Sequence, residues 1–274
     1  MISKAGLYAY GLVGSRPQPL DILGIDKINK VYPVEGREMC LIVSAIDIPA
    51  FANQVKQVFS ALTKTPEAAQ NGTKALLQAH EHVVATLMSD ATVVPFKFGT
   101  ILKDEKAASQ MLLDYEETFQ NLLAQLTGKV EWGLKVYADQ QAFIKQRMQT
   151  EPILKDRQKD LEEKREKLSR GAAYLFERKM EEEFKGHVEG RLTEIAEGIF
   201  QELGKDAYEG KLNKTLPQTL TGKKKEMVLN AVYLVGREKV ARFCKRGKRV
   251  MEKYRSMGLD LEVSGPWPPY SFTL

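Results

Sequence analysis

Hydrophobic and polar positions along the first 140 residues switch repeatedly between a period of two and a period near 3.6, which predicts strands interleaved with helices. In AGLYAYGLV, Leu7, Ala9, Gly11 and Val13 share one face and Tyr8, Tyr10 and Leu12 the other, so both faces of this strand call for cover. A polar turn with Pro17 and Pro19 leads to INKVYPV and MCLIVSA, two extended runs joined through Glu35-Gly36-Arg37-Glu38 as a hairpin. Asp47 is placed to cap a helix with Phe51, Val55, Val58, Phe59 and Leu62 on its apolar side, and a second helix is expected from about Thr73 to Ser89. In TVVPFKF, Val94, Phe96 and Phe98 alternate, and Pro95, lacking an N–H for a ladder, argues for an edge strand or a bulge. A long helix from Asp104 to about Leu126, stopped by Gly128, precedes KVEWGLKVYA, where Val130, Trp132, Leu134, Val136 and Ala138 form one face.

The texture changes at Pro152. Eleven of the thirteen residues 155–167 are charged, six basic and five acidic, as on a solvated helix. Leu154, Leu161, Leu168 and Leu175 recur every seven residues, and Phe176, Met180, Phe184, Val188, Leu192, Ile195, Ile199 and Leu203 continue at steps of three or four. The change of step predicts a break near Arg170-Gly171, and the stripe serves either an intermolecular coiled coil or packing on its own domain. Beyond a polar loop at 205–224, EMVLNAVYLV, a helix carrying Val240, Phe243, Cys244, Gly247, Met251 and Tyr254, and the alternating Leu259, Leu261 and Val263 read as strand, helix, strand in a right-handed unit. The whole is a mixed α+β chain. A ferredoxin-like split-βαβ N-terminal domain is expected at 1–140, and a helix-rich α+β domain with long charged helices at 150–264. A proline and aromatic tail follows at 265–274.

Charge alters this picture in one place. The net charge of +5 arises wholly in the second half, and residues 223–255 hold twelve basic and three acidic groups. Such a segment is either the solvated side of a helix or an attractor for nucleic acid, an anionic membrane surface or an acidic protein face. Two cysteines, Cys40 and Cys244, make no disulfide framework, and no run approaches the roughly 18 apolar residues of a membrane span. The expected setting is therefore the cytoplasm, with no lipid membrane as partner.

The search for chemistry finds little. His80 and His82, in HEHVV, lie two apart and face different sides of a helix, and the position four after His80 is Val84, so a zinc pair is not formed. Gly222-Lys223 lacks the glycine and hydroxyl residue of a phosphate loop, and Gly11-Leu-Val-Gly14 leads into Ser15-Arg16-Pro17 instead of a helix. Glu131 is the one carboxylate in a strand beside a tryptophan, placed to serve as a general base or to face a cross-strand lysine or arginine. These residues point to no enzyme, no metal, no cofactor and no small-molecule substrate.

Four strings carry a further signal: GLYAYGLV at 6–13, TVVPFKFGTIL at 92–102, GKVEWGLKVYAD at 128–139 and SGPWPPYSF at 264–272. In this order and spacing they resemble the gas vesicle protein F/L family, with Lys97 standing where an arginine is expected. The resemblance implies a non-catalytic accessory or minor structural protein of gas vesicle assembly, cytoplasmic and associated with the vesicle. Its partners would be the small hydrophobic major shell protein and other gas vesicle accessory proteins. A shell subunit that coats a gas phase offers a large apolar face before assembly, and a sheet edge or face could cover it. Phe96, Phe98 and Trp132 are the candidate anchors, with packing inside the domain as the alternative. The other functional class is a nucleic-acid-associated factor using 223–255, against which stands the lack of stacking aromatics among its basic residues.

The tail poses its own question. Pro266, Pro268 and Pro269 hold the chain extended, as in a polyproline ligand, but no lysine or arginine flanks them and no linker separates them from the last strand. Trp267, Tyr270 and Phe272 are therefore expected to dock back as a clasp between the two domains.

Overall fold

In the computed structural model, residues 4–18, 20–62, 66–140, 142, 143 and 169–273 are described. The charged stretch 155–167 and the leucines Leu154, Leu161 and Leu168 lie outside them, as do the side chains of Met180 and Phe184. The chain divides into two compact units, Met1–Glu131 with Pro266–Leu274 and Trp132–Gly265.

The N-terminal unit is built on β1 (Ala5–Val13), β2 (Val31–Glu35), β3 (Cys40–Asp47), β4 (Val93–Pro95) and β5 (Ile101–Leu102). The strand order is β2-β3-β1-β4, with β5 also paired to β1. Each of these pairings is antiparallel. Two helices, α1 (Ile48–Leu62) and α2 (Pro66–Asp90), carry the chain from β3 to β4, and β1 lies between those strands. This is the split βαβ arrangement. The β1-to-β2 connection is non-helical and closes onto the core through the Ile25 N–H, which donates to the Tyr10 hydroxyl at 2.6 Å.

Local chemistry explains most element ends. Asp47 accepts from the Ala50 N–H at the start of α1, as its position suggested. The helix α2 begins with Pro66 in its first turn, earlier than the sequence pattern indicated, and carries Asn71 and Gly72 inside it. The helix expected from Asp104 is two helices, α3 (Glu105–Asp114) and α4 (Glu116–Leu126), parted at Tyr115, whose backbone leaves the helical region. Asp104 caps the first by accepting from the Ala107 N–H, and Gly128, at φ 70°, ends the second. Tyr8, Tyr10, Ile42, Ile46, Phe51, Leu76, Val83, Val84 and Leu87 form the core that α1 and α2 cover. The opposite side of the sheet receives Phe119 and Leu122 of α4 against Val94 and Phe96, so both faces of β1 are buried. At Gly11 a Cβ would stand 2.8 Å from the Val94 carbonyl oxygen, so this crossing of β1 and β4 requires glycine.

The C-terminal unit holds β6 (Lys129–Ala138, from Trp132 onward), α5 (Arg170–Gly204), β7 (Glu209–Leu212), the short α6 (Gln218–Thr221), β8 (Glu226–Gly236), α7 (Val240–Arg255) and β9 (Leu259–Trp267). Its sheet runs β7-β8-β6-β9. The second sheet thus shows the full βαββαβ succession with the ferredoxin-like strand order. The strand–helix–strand segment is split, since β6 stands between β8 and β9.

Ser169, extended at ψ 157°, precedes α5, which begins at Arg170 and runs through Gly171; the N-terminal side of the expected break lies outside the described residues. Along α5, Val188, Leu192, Ala196, Ile199 and Leu203 are buried, whereas Tyr174 and Leu175 are exposed. The C-terminal half of the stripe is therefore core. Phe243, Gly247 and Val250 form the buried face of α7, and Tyr233 packs against Phe200 and Phe243 at centroid distances of 5.5 and 5.4 Å.

Candidate partner-binding surface

The string PFKFGT becomes a turn on the margin of the N-terminal sheet. β4 ends at Pro95, whose place on a terminal strand needs no ladder N–H. Phe96 donates its N–H to the Tyr10 carbonyl at 2.9 Å, Thr100 donates to the Lys97 carbonyl at 3.2 Å, and Gly99 at φ 87° closes the turn into β5. The alternation that put Phe96 and Phe98 on one side of a strand therefore does not persist past Pro95. Phe98 turns inward, half-buried, onto Tyr8, Phe51 and His80 at centroid distances of 6.1, 6.4 and 5.9 Å. Phe96 turns toward α4 and packs on Phe119, the rings tilted with centroids 6.1 Å apart.

Beneath the turn lies a polar pair that sequence patterning alone did not single out. The Gly99 N–H donates to the Tyr8 hydroxyl oxygen at 3.0 Å, which leaves the phenol proton for Nδ1 of His80, also at 3.0 Å. The neutral ring then carries its own hydrogen on Nε2, which has no hydrogen-bond partner among the described residues, while the Phe96 carbonyl lies near the ring. Burial holds the His80 pKa down to about 4, the nearby carbonyl opposing it in part. Desolvation likewise pushes the Tyr8 hydroxyl well above the ordinary tyrosine range and Tyr10 up to about 12. The sequence hint was only that His80 falls on the apolar side of α2 while His82 does not.

Around Phe96 the surface opens into a groove of about 180 Å3 lined by Val94, Pro95, Phe96, Phe119, Leu122 and Thr273, with Lys97 and Thr100 at its rim. Tyr115, half-exposed, extends the aromatic surface by packing its ring, tilted, against Phe119 at 5.9 Å. Of the three anchors expected from sequence, Phe96 alone lines this groove. Trp132 is buried in the other unit, against Phe243 at 5.9 Å.

The tail residues from Pro266 onward belong to the N-terminal unit. Pro268, Pro269 and Phe272 are buried, and Tyr270 packs on the core with its ring 6.1 Å from that of His80. Burial first, then the nearby Glu81 carboxylate, drives the Tyr270 hydroxyl far above its ordinary range. Trp267 remains 49% exposed, so it adds less to the docking than Tyr270 and Phe272. Ser271 donates its N–H and its hydroxyl to the two carboxylate oxygens of Glu131 at 2.8 and 2.9 Å, and the Thr273 hydroxyl reaches the Pro95 carbonyl at 3.5 Å. Glu131 thus anchors the tail. Both oxygens of that carboxylate are engaged by the tail, in hydrogen bonds strengthened by its charge.

Among the described residues no group of three or more His, Cys, Asp or Glu could hold a metal, and no helix is long and apolar enough to cross a membrane. The basic segment 223–255 is partly neutralised within its own unit. Arg246 binds Asp206 and Glu202 at 2.6 Å each, Arg242 meets Asp206 at 2.5 Å, Lys225 pairs with Asp260, and Lys223 pairs with Glu262. Lys239 and Lys253 lie over the rings of Tyr208 and Tyr254.

Comparison with known proteins sets these features in a family. The family described as Gas vesicle synthesis protein GvpL/GvpF matches residues 6–273. Gas vesicle protein L of Streptomyces sp. is 28% identical over 195 residues, covering 71% of this chain and 67% of its own. Gas vesicle protein F of Dolichospermum flosaquae is 25% identical over 270 residues, covering 97% and 96% of the two chains. The crystal structure of GvpF from Anabaena sp. PCC7120 superposes with a TM-score of 0.70 at 21% identity, over 98% of each chain, and so shares the fold. With a match that runs from β1 to the docked tail, this chain belongs to the GvpL/GvpF family of gas vesicle synthesis proteins.

Proposed function

We propose that this protein is a non-catalytic accessory of gas vesicle assembly that holds the small hydrophobic shell protein before or during its addition to the growing wall. Family membership supports the process, and the Phe96 groove supports the contact. A margin of sheet ending in Pro95, flanked by Val94, Phe96, Phe119 and Leu122, offers aromatic and aliphatic surface where a short apolar segment could lie. The turn that carries Phe96 is held from below by Tyr8 and His80, so the surface is pre-organised and binding would order little of it. Phe98 and Trp132, both packed into unit cores, would act by supporting their units. The site of action is the cytoplasm, at the vesicle, in company with other gas vesicle proteins.

The test is capture of the shell protein by the full chain, comparing the natural sequence with Phe96→Asp and Leu122→Asp. The groove variants should lose capture at least tenfold while keeping the far-ultraviolet circular dichroism of the natural protein. Undiminished capture by both variants would remove the groove from the proposal. Vesicles of normal number and form in a host deleted for the gene would remove the assembly role itself.

A further inference from the structure

Among the described residues the C-terminal sheet ends at β7, and Glu209-Gly210-Lys211 within that strand is complementary to itself when read in opposite directions. Glu209 and Lys211 flank Gly210 on one face and already meet each other at 3.5 Å along the strand. Leu212 lies with Gly210 on the other face and is 62% exposed, unusual for a large apolar residue at a sheet margin, whereas Tyr208 precedes the strand, gives its N–H to the Leu234 carbonyl at 2.8 Å and lies under the Lys239 ammonium. At Gly210 itself that face is filled by neighbours, since a Cβ there would come within 3.1 Å of the Phe200 ring.

Backbone direction agrees with the side chains. β7 pairs antiparallel with β8, Lys211 opposite Val232 and Leu212 opposite Ala231, and the Asn213 N–H donates to the Asn230 carbonyl at 2.8 Å. The alternation of an antiparallel ladder then turns the N–H and C=O of Gly210 and Leu212 away from β8.

We propose that β7 is a homodimerisation edge, where two copies of this chain join their C-terminal sheets antiparallel about a two-fold axis through Gly210. In that register Gly210 faces Gly210 of the second copy and the two exchange N–H···O bonds. Glu209 of each copy lies opposite Lys211 of the other, so two charge pairs form at once. A second copy supplies this complement automatically, because an isologous interface presents the same strand twice. A strand from an unrelated protein would have to match the charge order.

The experiment is sedimentation equilibrium of the full chain from about 1 µM to about 500 µM, a range that captures the modest affinity of a short strand pairing. A concentration-dependent dimer is expected. Lys211→Glu and Glu209→Lys should each weaken it about tenfold or more by placing like charges opposite each other, and the double exchange E209K/K211E should restore it to within about threefold. Hydrogen exchange of the Gly210 and Leu212 amides in the natural protein provides a measurement that needs no variant, and protection there should rise with protein concentration. A chain that stays monomeric over the range overturns the proposal, as does a dimer indifferent to both charge reversals or one the double exchange fails to rescue. Amide protection at Gly210 that does not change with concentration does the same.

Discussion

Buried deep in the N-terminal unit and 1% exposed, His80 makes the stability of this protein depend on pH in a specific direction. Its pKa in the folded chain is about 4, and in the unfolded chain it returns to about 6.5. Below 6.5 the unfolded state therefore binds a proton that the folded state refuses, and stability falls as pH falls until the folded pKa is reached. Linkage across those two values gives a loss of about 2 kcal/mol between pH 8 and pH 5, tending to about 3 kcal/mol well below pH 4. The comparison uses His80→Gln, which keeps a polar group near Tyr8 without titrating in this range. Glu81, Asp21, Glu202 and Asp206 titrate in both proteins and cancel in the difference. Hydrogen exchange of the β1 and β3 amides is the assay, because it reports the opening of this sheet separately from the C-terminal unit. The natural protein should lose about 2 kcal/mol more than the variant on going from pH 8 to pH 5. Identical pH profiles for the two proteins, or an NMR titration of His80 centred near 6.5, would refute the reasoning.

Three further outcomes follow from the packing. Phe272→Ala should lower the stability of the N-terminal unit by about 3 kcal/mol, since the ring is buried, and removal of residues 265–274 should cost at least as much; unchanged melting temperatures would show the tail to be undocked. Glu131→Ala leaves the Ser271 N–H and hydroxyl without their acceptor and should cost about 2 kcal/mol, whereas Glu131→Gln, which keeps one carbonyl oxygen, should cost less; equal losses in denaturant titration would argue against a charge-assisted link. Arg246→Ala removes the more buried of the two guanidinium partners of Asp206 and should destabilise the C-terminal unit by about 2 kcal/mol or more, read as a fall in its unfolding midpoint. An unaffected midpoint would mean that Arg242 alone satisfies that carboxylate.

Periodicity by itself determined the mixed α+β class, the β2–β3 hairpin, the Asp47 cap, a helix starting at Asp104 and the Gly128 stop, because each depends on residues close along the chain. The four family strings were legible for the same reason. What neighbours in space decide was not legible. Alternation placed Phe96 and Phe98 together, but Pro95 ends β4 and Gly99 turns the chain, so one ring enters the core and the other meets Phe119, far off in sequence. Trp132 suited either an anchor or a core position by pattern, and only the fold sets it against Phe243. The partner of Glu131 is Ser271, 140 residues away, a link no local pattern encodes. The ferredoxin-like order of the second sheet depends on which strand passes between β8 and β9, a choice made by burying β6 between them. Local spacing reports the faces of an element, whereas the identity of what covers each face is a property of the packed chain alone.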